Sequence, residues 1–229
     1  MTQDALPSPA AILARIAALG GVDPAAATLT GAEPVLPSSF RVDALAQACV
    51  AAQGLAAAAL HQARGGPAQA VSVEIRAAAA EFRSERLLKI DGGPAPELWD
   101  ALAGLYRCGD GRFVRLHTNF PHHRAGIVKL LGCADARESV APALEAWQAE
   151  AFETAATDAG LVVAMARRFE AWDAHPQAAA LATLPLIEIE KTGDAPAPAR
   201  PAGARPMAGM RVLDLTRIIA GPTAGRILA

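Results

Sequence analysis

Apolar and polar positions along the chain follow two periods, one typical of helices and one typical of strands. After Asp43, small apolar side chains repeat on one helical face through Leu45, Cys49 and Ala52, until a pair of glycines ends the segment. Apolar residues then alternate with polar ones from Val71 to Ile75, as in a half-buried strand. The pattern predicts a long buried helix with Asp43 as its N-cap, then a strand and a second helix.

The other apolar segments are shorter and are separated by glycine and proline. Ser8 and Pro9 predict the start of a short helix, whereas residues 28–37 are expected to form a loop. A β-hairpin is predicted around the turn Cys108-Gly109-Asp110-Gly111, followed by a helix from Pro121 to Gly132. Further helices are predicted at residues 96–105, 136–158 and 169–182, and further strands at 161–166 and 186–190.

The closing residues, MRVLDLTRIIAGPTAGRILA, have a pattern of their own. Val212, Leu213 and Leu215 predict a strand, which is followed by a turn of small residues and the start of a helix. Pro222 suits the first helical turn because its missing N–H would be unpaired there in any case. The preceding residues, 192–209, are rich in proline and glycine and predict a linker.

Composition narrows the class of protein. The chain of 229 residues is 52% hydrophobic with a net charge of −2, so it can bury a core and has no basic stripe for nucleic acid. Three widely spaced cysteines without a CxxC pair favour a reducing compartment. Polar residues interrupt the most apolar window, which we interpret as a buried helix and not as a membrane span. We expect a soluble cytoplasmic protein that binds neither nucleic acid nor membrane.

His117, His122 and His123 form the densest polar cluster in the sequence. Neither a carboxylate nor a cysteine joins them at metal-ligand spacing, which disfavours a metal site. A catalytic base is a second alternative, although no nucleophile for it to activate lies nearby. A structural or surface role is favoured. The residues taken alone therefore predict no metal site and no catalytic set.

Three stretches resemble one known family. The closing RVLDLTRIIAGPTAGRILA resembles the opening signature of the type III CoA-transferases, the family of carnitine-CoA and formyl-CoA transferases. LYRCGDGRFVRLHTNFPHHR, Leu105–Arg124, resembles the entry to that family's small domain, and residues 69–73 resemble the end of its GxGQxVdvS stretch. The stretch that resembles the start of a transferase unit here follows the stretches that resemble its later part, so their order is inverted relative to one unit. This arrangement resembles the double-length members, here truncated early in the second unit.

The resemblance implies an α/β fold with an incomplete Rossmann-like large domain, a small α+β domain and a Pro-rich linker to a final strand–turn–helix. The implied divisions are an irregular N-terminal segment at residues 1–37, part of the large α/β domain at 38–92, the small domain with its connecting helices at 93–160, a return to the large domain at 161–191, the linker at 192–209 and the start of a second large domain at 210–229.

The resemblance also implies a reaction, in which CoA moves from an acyl-CoA to a free carboxylic acid through an aspartyl intermediate. The family's nucleophile would lie beyond the last residue, so no catalytic residue is assigned, and Asp214 is interpreted as a strand residue. The residues implied to approach CoA are Ile219, Ala220, Gly221 and Pro222, where backbone N–H groups at a helix start suit phosphate or thioester. A tight connection without a ligand is the alternative interpretation of this turn.

The implied substrates are an acyl-CoA and a small carboxylic acid, with no tightly bound cofactor and no metal. The implied assembly is a homodimer or a pair with another transferase chain, because an unpaired sheet edge invites strand addition. We expect the isolated chain to be inactive as a transferase. Two alternatives stay open, a non-catalytic CoA-binding or assembly subunit of a transferase complex and a product without function.

Overall fold

A computed structural model describes residues 7–196 and 203–229. Residues 1–6 of the predicted N-terminal segment and residues 197–202 of the predicted linker lie outside the described residues. The chain separates into two units, the first containing the described residues up to Gly93 and those from Ile189 onward, the second containing Pro94–Glu188. Both units mix helices with small sheets, which confirms the predicted α/β class.

The first unit begins with the predicted short helix, α1, Pro9–Gly20. The hydroxyl of Ser8 accepts a hydrogen bond from the N–H of Ala11 at 3.2 Å, and proline occupies the first helical position. The helix ends at Gly21, whose φ of 65° lies in the left-handed region that glycine enters without strain. Local capping chemistry therefore sets both ends of α1.

The long helix α2, Val42–Ala63, packs against α1, against a pair of strands and against the helix that follows the second of these strands in this unit. Its buried face contains Ala44, Ala48, Ala51 and Leu55, whereas the predicted face began at Leu45, which is 45% exposed. The predicted buried face of α2 was therefore wrong by one residue. The physical reason is composition, since alanine all around the helix leaves little contrast between its faces.

Asp43 is not the N-cap of α2, contrary to the prediction, because Arg41 holds that position and Asp43 lies inside the first turn. The Asp43 carboxylate is buried and accepts hydrogen bonds from the N–H groups of Val35 at 2.7 Å and Ala44 at 3.1 Å. Burial acts to raise the pKa of Asp43, but these backbone donors outweigh it and the pKa is lowered. Asp43 thus fastens the preceding loop to the helix.

A parallel pair of strands lies beside α2. β1, Ala27–Thr30, pairs with β2, Val71–Glu74, with Ala27 opposite Val71. β2 was predicted, whereas β1 lies mostly in the stretch expected to be a loop. Gln47 on α2 is buried, and its Nε2 donates to the carbonyls of Thr30 at 2.8 Å and Val73 at 2.9 Å, which ties both strands to the helix. The elements that follow are α3, Ile75–Glu81, α4, Ser84–Leu87, and the short paired strands β3, Lys89–Ile90, and β4, Gly93–Pro94.

By length and composition, α2 is one described helix that would be able to cross a membrane, a test that core helices of soluble proteins also pass. In its most apolar 18-residue window, 44% is buried inside the protein. Gln47 and His61 are buried polar side chains of the same helix, and Gln47 bonds to the strands. The buried part of α2 therefore includes polar groups that the protein itself satisfies.

The second unit contains an antiparallel sheet of β5, Gly104–Arg107, β6, Phe113–Leu116, and β7, Val163–Met165, in that order. β5 and β6 form the predicted hairpin, closed by a hydrogen bond from the N–H of Cys108 to the carbonyl of Arg112 at 2.8 Å. β7 lies within the strand predicted at residues 161–166 and pairs with the hairpin.

Residues 96–105 do not form the predicted helix, and β5 occupies the end of this range. Asp100 provides the physical reason. Its carboxylate accepts hydrogen bonds from the N–H of Leu102 at 2.9 Å and the hydroxyl of Thr118 at 2.7 Å, and it pairs with Arg124 at 2.7 Å. These contacts hold the backbone in a turn, which local helix propensity does not overcome.

The helix predicted at residues 136–158 is broken into two. The carboxylate of Asp110, in the hairpin turn, accepts a hydrogen bond from the N–H of Ala149 at 3.1 Å, and the N–H of Gly109 donates to the carbonyl of Trp147 at 2.9 Å. The turn thus caps a new helix start. The helices of the unit are α5, Pro121–Leu131, α6, Arg137–Leu144, α7, Ala149–Asp158, α8, Phe169–Asp173, and α9, Pro176–Ala182.

The core of the second unit lies between its sheet and its helices. α5 begins at Pro121 and ends where Gly132 adopts a φ of 62°, as predicted. Tyr106 is buried, and its hydroxyl donates to the carbonyl of Leu102 at 2.8 Å. The largest side chains of this core are Leu102, Val114, Leu116, Ile127, Val140, Leu144 and Phe152.

The closing stretch, part of the first unit, ends in helix α10, Ala220–Leu228. The strand predicted at Val212–Leu215 does not form, and no described strand pairs with residues 211–217. A strand requires a neighbour to satisfy its backbone groups, and without one Leu213 and Leu215 are 81% and 84% exposed. The strand predicted at 186–190 is absent from the described sheets for the same reason.

Candidate functional site

The turn Ile219–Pro222, predicted to approach CoA, leads into the first turn of α10. Ile218, just before it, has a φ of 83°, a region that β-branched residues rarely occupy. Ile219 holds the N-cap position, and its carbonyl accepts a hydrogen bond from the N–H of Thr223 at 2.9 Å. The predicted residues therefore lie together at a helix N-terminus, the end of a helix where backbone N–H groups lack intrahelical partners.

Two glycines allow α10 to pack closely on the residues before the turn. A β-carbon at Gly221 would overlap the side chain of Thr216, and one at Gly225 would overlap the carboxylate of Asp214. Asp214 accepts hydrogen bonds from the hydroxyl and the N–H of Thr216, the latter at 2.8 Å. The hydroxyl first and the N–H second lower the pKa of Asp214, so this carboxylate is ionised at neutral pH.

A cavity of about 630 Å³ lies between the extended residues and the C-terminal half of α10. Its charged lining residues are Arg205, Asp214 and Arg226. Asp214 offsets one of the two guanidinium charges and Glu81 pairs with Arg226, so this cavity presents no surplus of positive charge to an anion. Among the described residues, those of the turn Ile219–Pro222 do not line this cavity. The apolar wall is formed mainly by Met207, Met210, Val212 and Leu228.

Two arginines attach residues 206–229 to the helices of the first unit. Arg64, at the end of α2, donates to the carbonyl of Ala208 at 2.6 Å and to the carbonyl of Pro206. Arg226 forms an ion pair with Glu81 on α3. Sequence reasoning did not identify these residues, because partners 142 to 145 positions apart leave no local pattern.

The histidine cluster, His117, His122 and His123, surrounds Phe120 in the second unit. The ring centroid of Phe120 lies 6.2, 5.8 and 5.5 Å from those of the three histidines, in that order. The ring of His117 also contacts the edge of Trp99 at 6.0 Å. Within residues 7–196 and 203–229, no three His, Cys, Asp or Glu side chains are grouped to hold a metal ion.

Asp100 and Glu153 are two further carboxylates with a lowered pKa, and both have structural contacts. Burial acts to raise the pKa of Asp100, but the hydroxyl of Thr118, a backbone N–H and Arg124 outweigh it and lower the pKa. The guanidinium of Arg167 is the main cause of the lowered pKa of Glu153, which also accepts a hydrogen bond from a backbone N–H in β7. Their oxygens are engaged in structural contacts, so neither is positioned as a nucleophile.

The cysteines are free thiols in the described structure, Cys108 buried and Cys49 and Cys133 half-buried. Burial raises the pKa of Cys49 and, together with Asp110, that of Cys108. A thiol whose pKa is raised forms little thiolate at neutral pH and is a poor nucleophile. These two cysteines therefore pack as small apolar side chains.

Comparison with known proteins adds the relatives of this fold. The model of CoA-transferase family III matches residues 10–202. The crystal structure of a hypothetical protein, Rv3272, from Mycobacterium tuberculosis matches with a TM-score of 0.53 and 19% identity, over 76% of this chain and 51% of that one. A mutant of Rv3272 matches with a TM-score of 0.53 and 22% identity, over 83% and 56%. No curated protein matches the chain.

The chain spans about half the length of these solved structures. At 19 to 22% identity they establish a shared fold. The family match extends over most of both units and includes the hairpin and the helix that follows it. It ends before the closing stretch, so the turn Ile219–Pro222 lies outside the matched residues.

Proposed function

The chain belongs to CoA-transferase family III, and we propose that it takes part in moving CoA from an acyl-CoA to a free carboxylic acid. The family match over residues 10–202 is the observation that carries this proposal. Because the chain spans about half of its solved relatives, the reaction is proposed for a transferase to which these residues contribute.

The proposed chemistry uses an aspartate nucleophile. Its carboxylate attacks the thioester carbonyl, CoA leaves as the thiolate, and a mixed anhydride remains on the enzyme. The thiolate then attacks the aspartyl carbonyl, which releases the first acid and leaves an aspartyl-CoA thioester for the acceptor carboxylate. We assign this nucleophile to no residue of the chain. Three of its aspartates, Asp43, Asp100 and Asp214, are held by hydrogen bonds within the fold.

Within this proposal the chain binds CoA through Ile219, Ala220, Gly221 and Pro222. The N-terminus of α10 supports the assignment, because a helix start presents backbone N–H groups and a partial positive charge to an anion. The missing side chain of Gly221 lets Thr216 pack against this helix start, which fixes the turn before α10. The ligand is CoA itself as substrate, with no tightly bound cofactor.

Substitution of Ile219 tests the CoA site. Ile219 is 65% exposed and occupies the N-cap, so Ile219→Asp and Ile219→Asn both provide a capping oxygen without opening the core. Only the aspartate adds a negative charge beside the CoA phosphates. One charge at close range is worth about 1 kcal/mol in water, so we expect Ile219→Asp to weaken CoA binding about fivefold relative to Ile219→Asn in calorimetric titrations. Equal affinities of the two variants would argue against this site.

We also expect the isolated chain to show no transferase turnover. Purified protein incubated with an acyl-CoA and a second carboxylic acid should form no new acyl-CoA above the uncatalysed background, measured by chromatography. Exchange that depends on the protein would overturn this expectation, because it would require a nucleophile within the chain. The CoA titration is independent of this assay, so binding without turnover is a distinct result.

We propose the finer architecture on the same basis. The parallel β1–β2 pair, with α3 directly after β2, supports an incomplete Rossmann-like large domain. The divisions at residues 38–92, 93–160 and 161–191, the linker at 192–209 and the start of a second large domain at 210–229 stay predictions. So do the cytoplasmic location and the pairing with a second chain.

An assembly role is the second candidate function, and the closing stretch favours it. Val212, Leu213 and Leu215 are 52%, 81% and 84% exposed along an extended backbone. Exposed apolar residues in an extended segment are suited to strand addition by another chain. In this alternative the chain binds another transferase subunit and makes no contribution to CoA binding.

A further inference from the structure

The histidine cluster is a group of titratable side chains for which the proposed function has no role. His122 and His123 lie in the first turn of α5, and His117 follows β6 directly. The ring centroids of His122 and His123 are 4.1 Å apart. The Nδ1 atom of His123 is buried and has no hydrogen-bond partner among the residues that the structure describes. Within the cluster, protonation of this atom is therefore the most unfavourable for the folded state.

Protonation of His123 would add charge where the structure disfavours it. An imidazolium carries N–H donors on both ring nitrogens, and a buried donor without an acceptor destabilises the folded state. The first turn of a helix also carries a partial positive charge, which repels a cation. Protonation of His122 beside it would add a second repulsion. A neutral His123 ring avoids the unpaired buried donor and these repulsions.

The charged groups around the cluster do not reverse this balance. Arg124, the next residue of α5, pairs with Asp100 at 2.7 Å and with Asp135 at 2.8 Å, so both carboxylates already have a cationic partner. Arg115 on β6 adds a further positive charge and lies 4.7 Å from the centroid of the Trp99 ring. Burial first, then His122 and His117, lower the pKa of His123.

We propose that the histidine cluster is an acid-sensitive device, which holds the first turn of α5 in place at neutral pH and loosens it as His123 gains a proton. The loosened turn carries Arg124, the partner of Asp100, so acid would also release the turn that precedes β5. The device belongs to the second unit and does not depend on CoA binding.

The direction of the pH effect follows from proton linkage. The pKa of His123 is lowered in the folded protein, whereas a histidine of the unfolded chain titrates near about 6.5. Between those two values the unfolded state binds more protons, so the free energy of unfolding decreases as the pH falls below about 6.5. Well above that pH both states are neutral at this residue, and it adds no pH dependence.

A histidine titration of the full chain tests the first step. The five histidines can be followed through their ring C–H signals by NMR on uniformly labelled protein, with the His123 signal assigned from its loss in His123→Asn. We expect the pKa of His123 to lie below about 6.5, the value for an unperturbed histidine. A value at or above that would overturn the proposal, because protonation would then not oppose folding.

Urea unfolding at pH 7.5 and pH 5.5 tests the consequence. We expect the free energy of unfolding of the wild type to be smaller at pH 5.5 than at pH 7.5, and that of His123→Asn to decrease less. Each pH unit between the folded and unfolded pKa values of His123 changes the folded-to-unfolded ratio up to about tenfold. His175→Asn is the matched control, because asparagine can replace the imidazole as the cap of α9. If the free energy of unfolding decreases equally in the two variants between pH 7.5 and pH 5.5, the proposal is contradicted. If His123→Asn fails to fold, the His123 ring signal is assigned instead by through-bond correlation to its own backbone in the labelled wild type, and the wild-type titration decides.

Discussion

Single carboxylates decide the local conformation at several points of the second unit. Asp100 holds the N–H of Leu102, the hydroxyl of Thr118 and the guanidinium of Arg124 around one largely buried side chain. Asp110 provides the cap from which α7 begins. In both cases one side chain satisfies backbone donors that would otherwise be unpaired, and this outweighs local helix propensity.

The contribution of Asp100 to stability is tested by removing its charge and comparing the result with the same change at Asp135. Arg124 bonds to two carboxylates, Asp100 with 17% of its side chain exposed and Asp135 with 56% exposed. We expect Asp100→Asn to lower the free energy of unfolding by about 1–3 kcal/mol, because it weakens charge-assisted bonds in a part-buried site. Asp135→Asn should change it by less than about 1 kcal/mol. Urea unfolding at pH 7 measures both.

The pH dependence of the same pair provides a control. The pKa of Asp100 is lowered in the folded protein, so its stabilisation is present above the unfolded value of about 3.9 and is lost as the pH falls through the folded value. We therefore expect the stability difference between wild type and Asp100→Asn to shrink in that acid range. A difference that is the same at pH 7 and in that range would show that Asp100 acts through packing and not through charge.

At the scale of helices and strands, the sequence predicted best those elements whose ends are set by local residues. Ser8 and Gly21 bound α1, and Pro121 and Gly132 bound α5, each through capping chemistry that acts within a few residues. Predictions failed where a distant partner decides. The break before α7 depends on Asp110 across 39 positions, which no periodicity of the helix itself can indicate.

Gln47 links three elements of the first unit and makes the next prediction. Its Nε2 donates to carbonyls in β1 and β2, and Gln47→Leu would remove this donor from both, including the buried carbonyl of Val73. We expect that substitution to lower the free energy of unfolding by about 1–3 kcal/mol. Gln53→Leu changes an exposed residue of the same helix and should cost less than about 0.5 kcal/mol. Similar losses in the two variants would mean that Gln47 does not link helix and strands.

For the whole molecule, short motifs identified the family better than they predicted the site. The resemblance at Leu105–Arg124 lies inside the residues that match CoA-transferase family III, so the family prediction is confirmed. The turn Ile219–Pro222 forms a helix start, yet the neighbouring cavity takes its charges from Arg205, Asp214 and Arg226. Contacts such as that of Arg64 with Ala208 join positions 144 residues apart, and only the folded chain brings them together.

The exposed closing stretch makes the last prediction, which concerns association of whole chains. If Leu213 and Leu215 are buried by a second chain, each contributes about 1.5–3 kcal/mol. The double variant Leu213→Asn with Leu215→Asn should then weaken association at least about 100-fold, measured by sedimentation velocity over a concentration series. The matched control replaces Leu184 and Leu186 by asparagine, two leucines that are 61% and 70% exposed elsewhere in the chain. Association that persists in the first variant, or is lost equally in both, would exclude the closing stretch as the contact surface.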